Sequence, residues 1–114
     1  MTALRPIEFE ILLTLAQGEC HGYAIIRETE ARSDGTLRLE TGTLYRALRR
    51  LVAEGYAKPT SRHAADPEGH DDERRRYYAI TPLGKRTAAL EAARLARLVA
   101  AARSARLIPK PERP

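Results

Sequence analysis

The stretch LETGTLYRALRRLVAEGY, residues 39–56, most constrains the fold, because its apolar and basic residues separate onto different sides of one helix. A buried helical stripe needs apolar residues at i, i+4, i+7 and i+8. That spacing is met by Leu44, Leu48, Leu51 and Val52. Thr41 is a good N-cap residue, and Gly55 suits the left-handed turn that follows a helix. The pattern predicts a helix whose leucines pack against a core.

The remaining sides of this helix carry polar and basic groups. Thr43, Arg46 and Arg50 share one side, and Tyr45 and Arg49 lie beside them. We therefore expect a hydroxyl, a phenol and three guanidinium groups to point away from the core. A charge run of this kind is often only a solvated face, so further observations must decide its role.

Composition indicates the class of protein. The chain has 114 residues, enough for one domain, and 20 Lys and Arg against 15 Asp and Glu give a net charge of +5. This surplus favours a polyanionic partner. The single cysteine, Cys20, excludes an intramolecular disulfide and fits a reducing compartment. No apolar run is long enough to span a membrane. We expect a soluble, cytoplasmic protein with no membrane partner.

Two further helices and a short strand are predicted before residue 41. Pro6 suits the first position of a helix that ends near Gly18. Its apolar face comprises Ile7, Ile11, Leu12 and Leu15. A second helix is predicted over residues 22–32, and its inward residues are Ala24, Ile25 and Ala31. The alternation of Leu37 and Leu39 with charged neighbours predicts a very short strand.

A β-hairpin and a long helix are predicted for the second half. Residues 56–62 and 73–80 are β-rich, and the polar sequence HAADPEGHDD between them suits a turn. Thr81 and Pro82 are an N-cap and first helical residue for a helix that runs to about Leu107. We predict a mainly α fold with a small β-hairpin wing. Its expected parts are a winged helix-turn-helix domain (1–80), a C-terminal dimerisation helix (81–108) and a disordered tail (109–114).

Three short helices followed by a hairpin is the order of a winged helix-turn-helix. Arginine can bond base edges in the major groove, and threonine and tyrosine can reach phosphates. Gly42 would let the backbone N–H groups of Thr43 and Leu44 approach a phosphate. Arg74, Arg75 and Arg76 give the wing a second basic element. The candidate DNA contacts are Tyr23, Thr41, Thr43, Tyr45, Arg46, Arg49, Arg50, Arg75 and Arg76.

Three motifs resemble one known family. HGYAIIRE, LETGTLYRALRRLVAEGY and RRRYYAITPLGK look like the HGY, GTLYxxLxxLxxxG and RKYYxLTxxG signatures of PadR-like transcriptional regulators, in the same order. The resemblance spans residues 7–86. It implies a homodimeric winged-helix transcription factor, commonly a repressor, that binds a palindromic operator in double-stranded DNA. With a single helix after the wing, the chain is similar to the small branch of the family.

The last helix carries a heptad pattern. Apolar residues recur at spacings of four and three, with Leu98 beside them: Ala88, Ala92, Leu95, Val99 and Ala102. A helix of about 26 residues is about 39 Å long, more than a domain of this size can cover. These six residues are the predicted dimerisation surface. The resemblance implies that this helix pairs with the partner protomer.

Other classes of function leave weaker patterns. A metal- or redox-responsive regulator would use Cys20 with His21, His63 or His70, but Cys20 and His21 are adjacent, and His63 and His70 sit in the predicted turn. A protein-interaction adaptor would need an apolar patch on the third helix, which is basic instead. No nucleophile elbow, phosphate-binding glycine loop or HExxH motif indicates an enzyme. We predict no cofactor and no metal, and the sequence identifies no small-molecule effector.

Overall fold

The computed structural model describes residues 4–63 and 76–109, in which four helices surround a small antiparallel sheet. In chain order the elements are α1 (Pro6–Ala16), β1 (Cys20–His21), α2 (Gly22–Arg32), α3 (Thr41–Ala53), β2 (Ala57–His63), β3 (Arg76–Ile80) and α4 (Pro82–Ser104). The strand order in the sheet is β1-β3-β2. This is a mainly helical winged helix-turn-helix, as the sequence predicts.

The core forms where α1, α2 and α3 meet the sheet. Its fully buried side chains include Ile11 and Leu12 of α1, Ile25 of α2, and Leu44 and Leu48 of α3. The predicted apolar faces of α1 and α3 are confirmed by this burial. The three helices are therefore held as a unit by their leucines and isoleucines, and the polar side of α3 is left outside.

The prediction that Ala31 faces inward is wrong. The buried residues of α2 are Gly22, Ile25 and Thr29, and Ala31 is exposed. At 100° per residue, Ala31 lies about 160° away from Thr29, on the solvent side. Thr29 can be buried because its hydroxyl donates to the carbonyl oxygen of Ile25 at 2.8 Å.

The predicted strand at Leu37 and Leu39 does not form. Instead, Cys20 and His21 pair with Tyr78 and Tyr77 along the edge of β3 that faces away from β2. The leucines belong to the connection between α2 and α3, where Leu39 is buried against the core. Alternation of two leucines alone does not make a strand, because a strand also needs a neighbouring strand with which its backbone can pair.

Helix α3 begins one residue earlier than its predicted cap implies. Glu40 is the N-cap and makes no side-chain capping bond, so the prediction that Thr41 caps the helix is wrong. The end is as predicted, since Gly55 has a φ of 81°. The Tyr56 N–H donates to the Leu51 oxygen, at 2.8 Å, in the manner of a Schellman motif.

The hairpin of β2 and β3 is confirmed within the described residues. Ala57 pairs with Ile80 and Pro59 with Tyr78, and the register shifts between Pro59 and His63. The predicted turn after His63, with Arg74 and Arg75, lies outside the described residues. So does the predicted disordered tail beyond Pro109.

The start of α4 is anchored to the hairpin. Thr81 caps it as predicted, because its hydroxyl oxygen accepts from the Gly84 N–H at 3.0 Å. The same hydroxyl donates to the Gly55 oxygen at 2.6 Å. A Cβ on Gly84 would overlap the Tyr56 carbonyl oxygen, so a glycine is required there. The helix ends at Ser104, short of the predicted Leu107.

None of the described helices combines the length and apolar character needed to cross a membrane.

Candidate nucleic-acid interface

The outer face of α3 is basic. Arg46 and Arg49 are exposed, and Thr43 is half-buried beside them. A guanidinium nitrogen of Arg46 donates to the Thr43 hydroxyl oxygen at 3.3 Å. This long bond at the surface leaves the guanidinium able to turn toward a partner. The placement predicted for these three residues is confirmed, and together they offer a hydroxyl and two guanidinium groups to one side of the helix.

The prediction that the Tyr45 phenol points outward is wrong. Its side chain is 5% exposed and belongs to the core cluster with Leu44 and Leu48. The phenol lies directly over Gly22 at the start of α2, where an added Cβ would overlap the Tyr45 hydroxyl. Tyr45 therefore sets how α2 packs on α3. In the sequence, the two residues of this contact belong to two of the family motifs: Gly22 to HGY and Tyr45 to GTLY.

The N-terminus of α3 is open at Gly42. The first bond of the helix runs from the Leu44 N–H to the Glu40 oxygen, at 2.9 Å. Because the Leu44 N–H is already bonded within the helix, the prediction that it approaches a phosphate is wrong. Thr43 belongs to the first turn, whose N–H groups have no partner within the helix. An added Cβ at Gly42 would meet only the end of the Arg46 side chain, at 3.4 Å. Space remains for a phosphate close to the backbone.

Arg50 is held by an ion pair to α1. A nitrogen of its guanidinium lies 2.8 Å from a carboxylate oxygen of Glu8 in α1. The side chain of Arg50 is 29% exposed, and that of Glu8 is 2% exposed. Arg50 therefore lies on the predicted side of α3 but is bound to a carboxylate of the same chain.

Three further candidate contacts lie outside α3, and two of them, Tyr23 and Arg76, are among the described residues. Tyr23 is 41% exposed near the start of α2, beside the buried Gly22. Arg76 begins β3 and is half-buried. Arg75 lies outside the described residues, and Thr41 is exposed at the first position of α3. The structure thus places Tyr23, Thr41 and Arg76 in the helix-turn-helix and the wing.

The predicted dimerisation surface is partly covered. Ala88 packs against the core, and Leu95 and Ala102 are half-buried. Leu98 is 54% exposed and Val99 44%, and Ala92 is also exposed. The heptad pattern did not include two other exposed leucines of α4, Leu83 and Leu90. They lie seven residues apart and so share a side of the helix, which their spacing could have revealed.

The surroundings of Cys20 and His21 do not favour a metal or redox site. His21 caps α2, because its Nδ1 accepts from the Ala24 N–H at 3.3 Å. Burial raises the pKa of the Cys20 thiol, and the Glu28 carboxylate raises it further. A raised pKa leaves less of the reactive thiolate at neutral pH. Within residues 4–63 and 76–109, no three His, Cys, Asp or Glu side chains are grouped so as to hold a metal ion.

Solved structures share this fold. A transcriptional regulator from Clostridium thermocellum is 26% identical, with a TM-score of 0.69 over 86% of this chain and 87% of that one. A PadR-like transcription factor from Bacteroides fragilis is 25% identical, with a TM-score of 0.66 over 86% and 87%. PadR of Bacillus subtilis, solved in complex with operator DNA, is 21% identical, with a TM-score of 0.60 over 96% of this chain and 51% of that one.

The sequence comparisons give the family directly. No curated protein sequence matches the chain at a significant level. The transcriptional regulator PadR-like family, however, matches residues 11–90, which include α2, α3, the hairpin and the start of α4. Its members are transcriptional regulators and not enzymes. On its sequence and its fold, this chain belongs to the PadR-like family of transcriptional regulators.

Proposed function

We propose that this chain binds a palindromic operator in double-stranded DNA as a homodimer and represses transcription there. One observation carries the proposal: α3, the second helix of the helix-turn-helix, exposes Arg46 and Arg49 beside the open backbone at Gly42. In this class of fold the second helix enters the major groove, where arginine reads guanine. The operator complex of the Bacillus subtilis relative supports the same use of this fold.

The contacts divide into two kinds in this proposal. Arg46 and Arg49 read base edges, because they are the exposed guanidinium groups of α3. Phosphates are held around them, at the N-terminus of α3 and along the wing. The residues proposed for phosphates are Tyr23, Thr41, Thr43, Arg75 and Arg76. Tyr45 is assigned a packing role because its side chain lies in the core.

The homodimer is proposed to form through α4. The helix is 23 residues long, about 35 Å, and beyond Gly84 it has no fully buried residue. Leu98 and Val99 lie exposed on its second half, where a partner helix would bury them. Residues 1–80 are proposed as the DNA-binding part and residues 81–108 as the dimerisation helix. A two-fold dimer then explains a two-fold symmetric operator.

Selection of bound sequences from a random duplex pool tests the proposal. We expect a two-fold symmetric motif, and we expect affinity to fall steeply as salt rises because counterions are released from the phosphates. A reporter whose promoter overlaps that motif should be transcribed less when the protein is present. Selection that yields no motif, with binding that salt hardly changes, would instead favour a protein-interaction adaptor.

A further inference from the structure

The carboxylate of Glu8 is buried beneath the DNA-facing side of α3. Glu8 lies in the first turn of α1 and is 1% exposed. One carboxylate oxygen accepts from the Arg5 backbone N–H at 2.7 Å. The other accepts from the Arg50 guanidinium at 2.8 Å. The two oxygens thus join the N-terminus of α1 to α3, across 42 positions of sequence.

This bond fixes the position of Arg50. A buried carboxylate without a charged partner is strongly unfavourable, so moving the guanidinium away would leave Glu8 uncompensated. The short separation is typical of a charge-assisted hydrogen bond. By contrast, Arg46 donates at 3.3 Å to a neutral hydroxyl and remains exposed. Two arginines on one side of α3 therefore differ sharply in their freedom to reach DNA.

The pair lies at the edge of the proposed reading surface. A cleft of about 260 Å³ lies between α1 and α3 at the surface. It is lined by Arg5, Ile7, Glu8, Thr43, Arg46, Ala47 and Arg50. Glu8 therefore lies beside the same cleft as the candidate contacts Thr43 and Arg46. Its negative charge is opposed by the guanidinium that it binds.

We propose that Glu8 is a positioning residue that limits sequence-independent affinity by withholding Arg50 from DNA. With Arg50 held against α1, the guanidinium groups of α3 that contact DNA are those of Arg46 and Arg49. A released Arg50 would reach any nearby phosphate and would add affinity that does not depend on sequence. This inference rests on the proposed function, since it concerns how α3 meets DNA.

The first test is Glu8→Gln, which removes the charge while keeping the shape. Binding to the selected operator and to a scrambled duplex is measured over a series of salt concentrations. We expect the salt slope on scrambled DNA to steepen by about one unit, as one more phosphate is contacted. Near 0.15 M salt, affinity should rise by roughly fivefold on scrambled DNA and on the operator alike, so the ratio of the two affinities should stay unchanged. Adding Arg50→Ala to Glu8→Gln should restore the original slope.

A complementary variant keeps the test valid if Glu8→Gln does not fold. Arg50→Gln in the unmodified background should leave the salt slope unchanged, because Arg50 does not touch DNA. Thermal melts show which variants are folded at the binding temperature. A purely structural role for the pair would alter melting without altering any salt slope. A slope that Glu8→Gln leaves unchanged, or that Arg50→Gln lowers by about one unit, overturns the inference.

The same data separate this inference from the function on which it rests. Unmodified protein that shows no salt-dependent binding and no preference for any duplex would refute the proposed function. Unmodified protein that binds its operator normally, with a salt slope that Glu8→Gln leaves unchanged, would refute only the positioning role of Glu8.

Discussion

At the scale of single residues, the exposed side of α3 is proposed to carry two kinds of DNA contact, one to base edges and one to the phosphate backbone. Arg46→Ala removes an exposed guanidinium without disturbing the core. If it bonds a base edge, binding to the operator should weaken by about 1–3 kcal/mol and one base pair should be less strictly chosen. Binding curves on operator and scrambled DNA at one fixed salt measure this. Equal binding curves for the mutant and the unmodified protein would indicate that Arg49, and not Arg46, contacts the bases.

Gly42 tests the close approach of backbone to phosphate. A Cβ at this position meets only the flexible end of Arg46, so Gly42→Ala should fold normally. Alanine is the better helix former, by up to about 1 kcal/mol, and the melting temperature should stay equal or rise. Affinity should nevertheless fall equally on operator and scrambled duplexes, because the added methyl group occupies the space for a phosphate. Unchanged affinity would show that DNA does not approach Gly42.

Gly22 tests the packing of Tyr45. Gly22→Ala is also a glycine-to-alanine change, but here the added Cβ overlaps the Tyr45 hydroxyl. It also lies 2.9 Å from the ring carbon that carries that hydroxyl. Overpacking of this kind typically costs 1–3 kcal/mol, so unfolding in denaturant should occur earlier. Tyr45→Phe should restore part of the loss in the double variant, since the hydroxyl is gone but the ring remains. Gly42→Ala is the matched control, and equal stability of the two variants would contradict the contact.

At the scale of elements, α4 extends beyond the core that it helps to cover. Its first turns are fixed by Thr81 and Gly84, whereas Leu98 and Val99 remain exposed. An exposed apolar pair on a helix of this length is better explained by a partner than by solvent. We therefore propose that the helix-turn-helix binds DNA and that the extended helix forms the dimer.

The dimer can be tested on these exposed residues alone. Leu98→Glu with Val99→Glu should yield monomers that lose the operator, because two carboxylates would have to be buried between the helices. Neither change touches the core of the protomer, so the melt of the monomer should remain cooperative. Arg97→Glu is the control, since Arg97 lies away from the heptad surface and should leave the dimer intact. Sedimentation at micromolar concentration measures the oligomeric state. Unmodified protein that sediments as a monomer would contradict the proposal.

At the scale of the whole molecule, the positions of the surface arginines of α3 depend on the buried groups beneath the helix. The outer side of α3 is basic, and the carboxylate of Glu8 lies under one edge of it. Burial of that carboxylate brings Arg50 toward α1, while Arg46 and Arg49 stay exposed. Net charge favours attraction to DNA, and we propose that the packing of α1 on α3 decides which guanidinium groups contact it.

Much of this architecture could be predicted because it depends on residues close together in the sequence. The leucine stripe of α3, the left-handed turn at Gly55 and the cap at Thr81 each follow from spacing or conformational preference over a few positions. The order of helices and hairpin follows from the same local signals. Three motifs in sequence were also enough to indicate the family, since each records a local requirement of the fold.

The remaining features depend on residues that are distant in the sequence. No local pattern shows that Tyr45 is buried, because that is decided by Gly22 on another helix. Likewise, Cys20 and His21 become a strand only because β3 offers them an edge. Arg50 looks like its neighbours until Glu8, 42 positions earlier, is found beneath it. Periodicity fixes which sides of a helix are apolar, but only tertiary packing decides which polar side chains are bound within the protein and which face a partner.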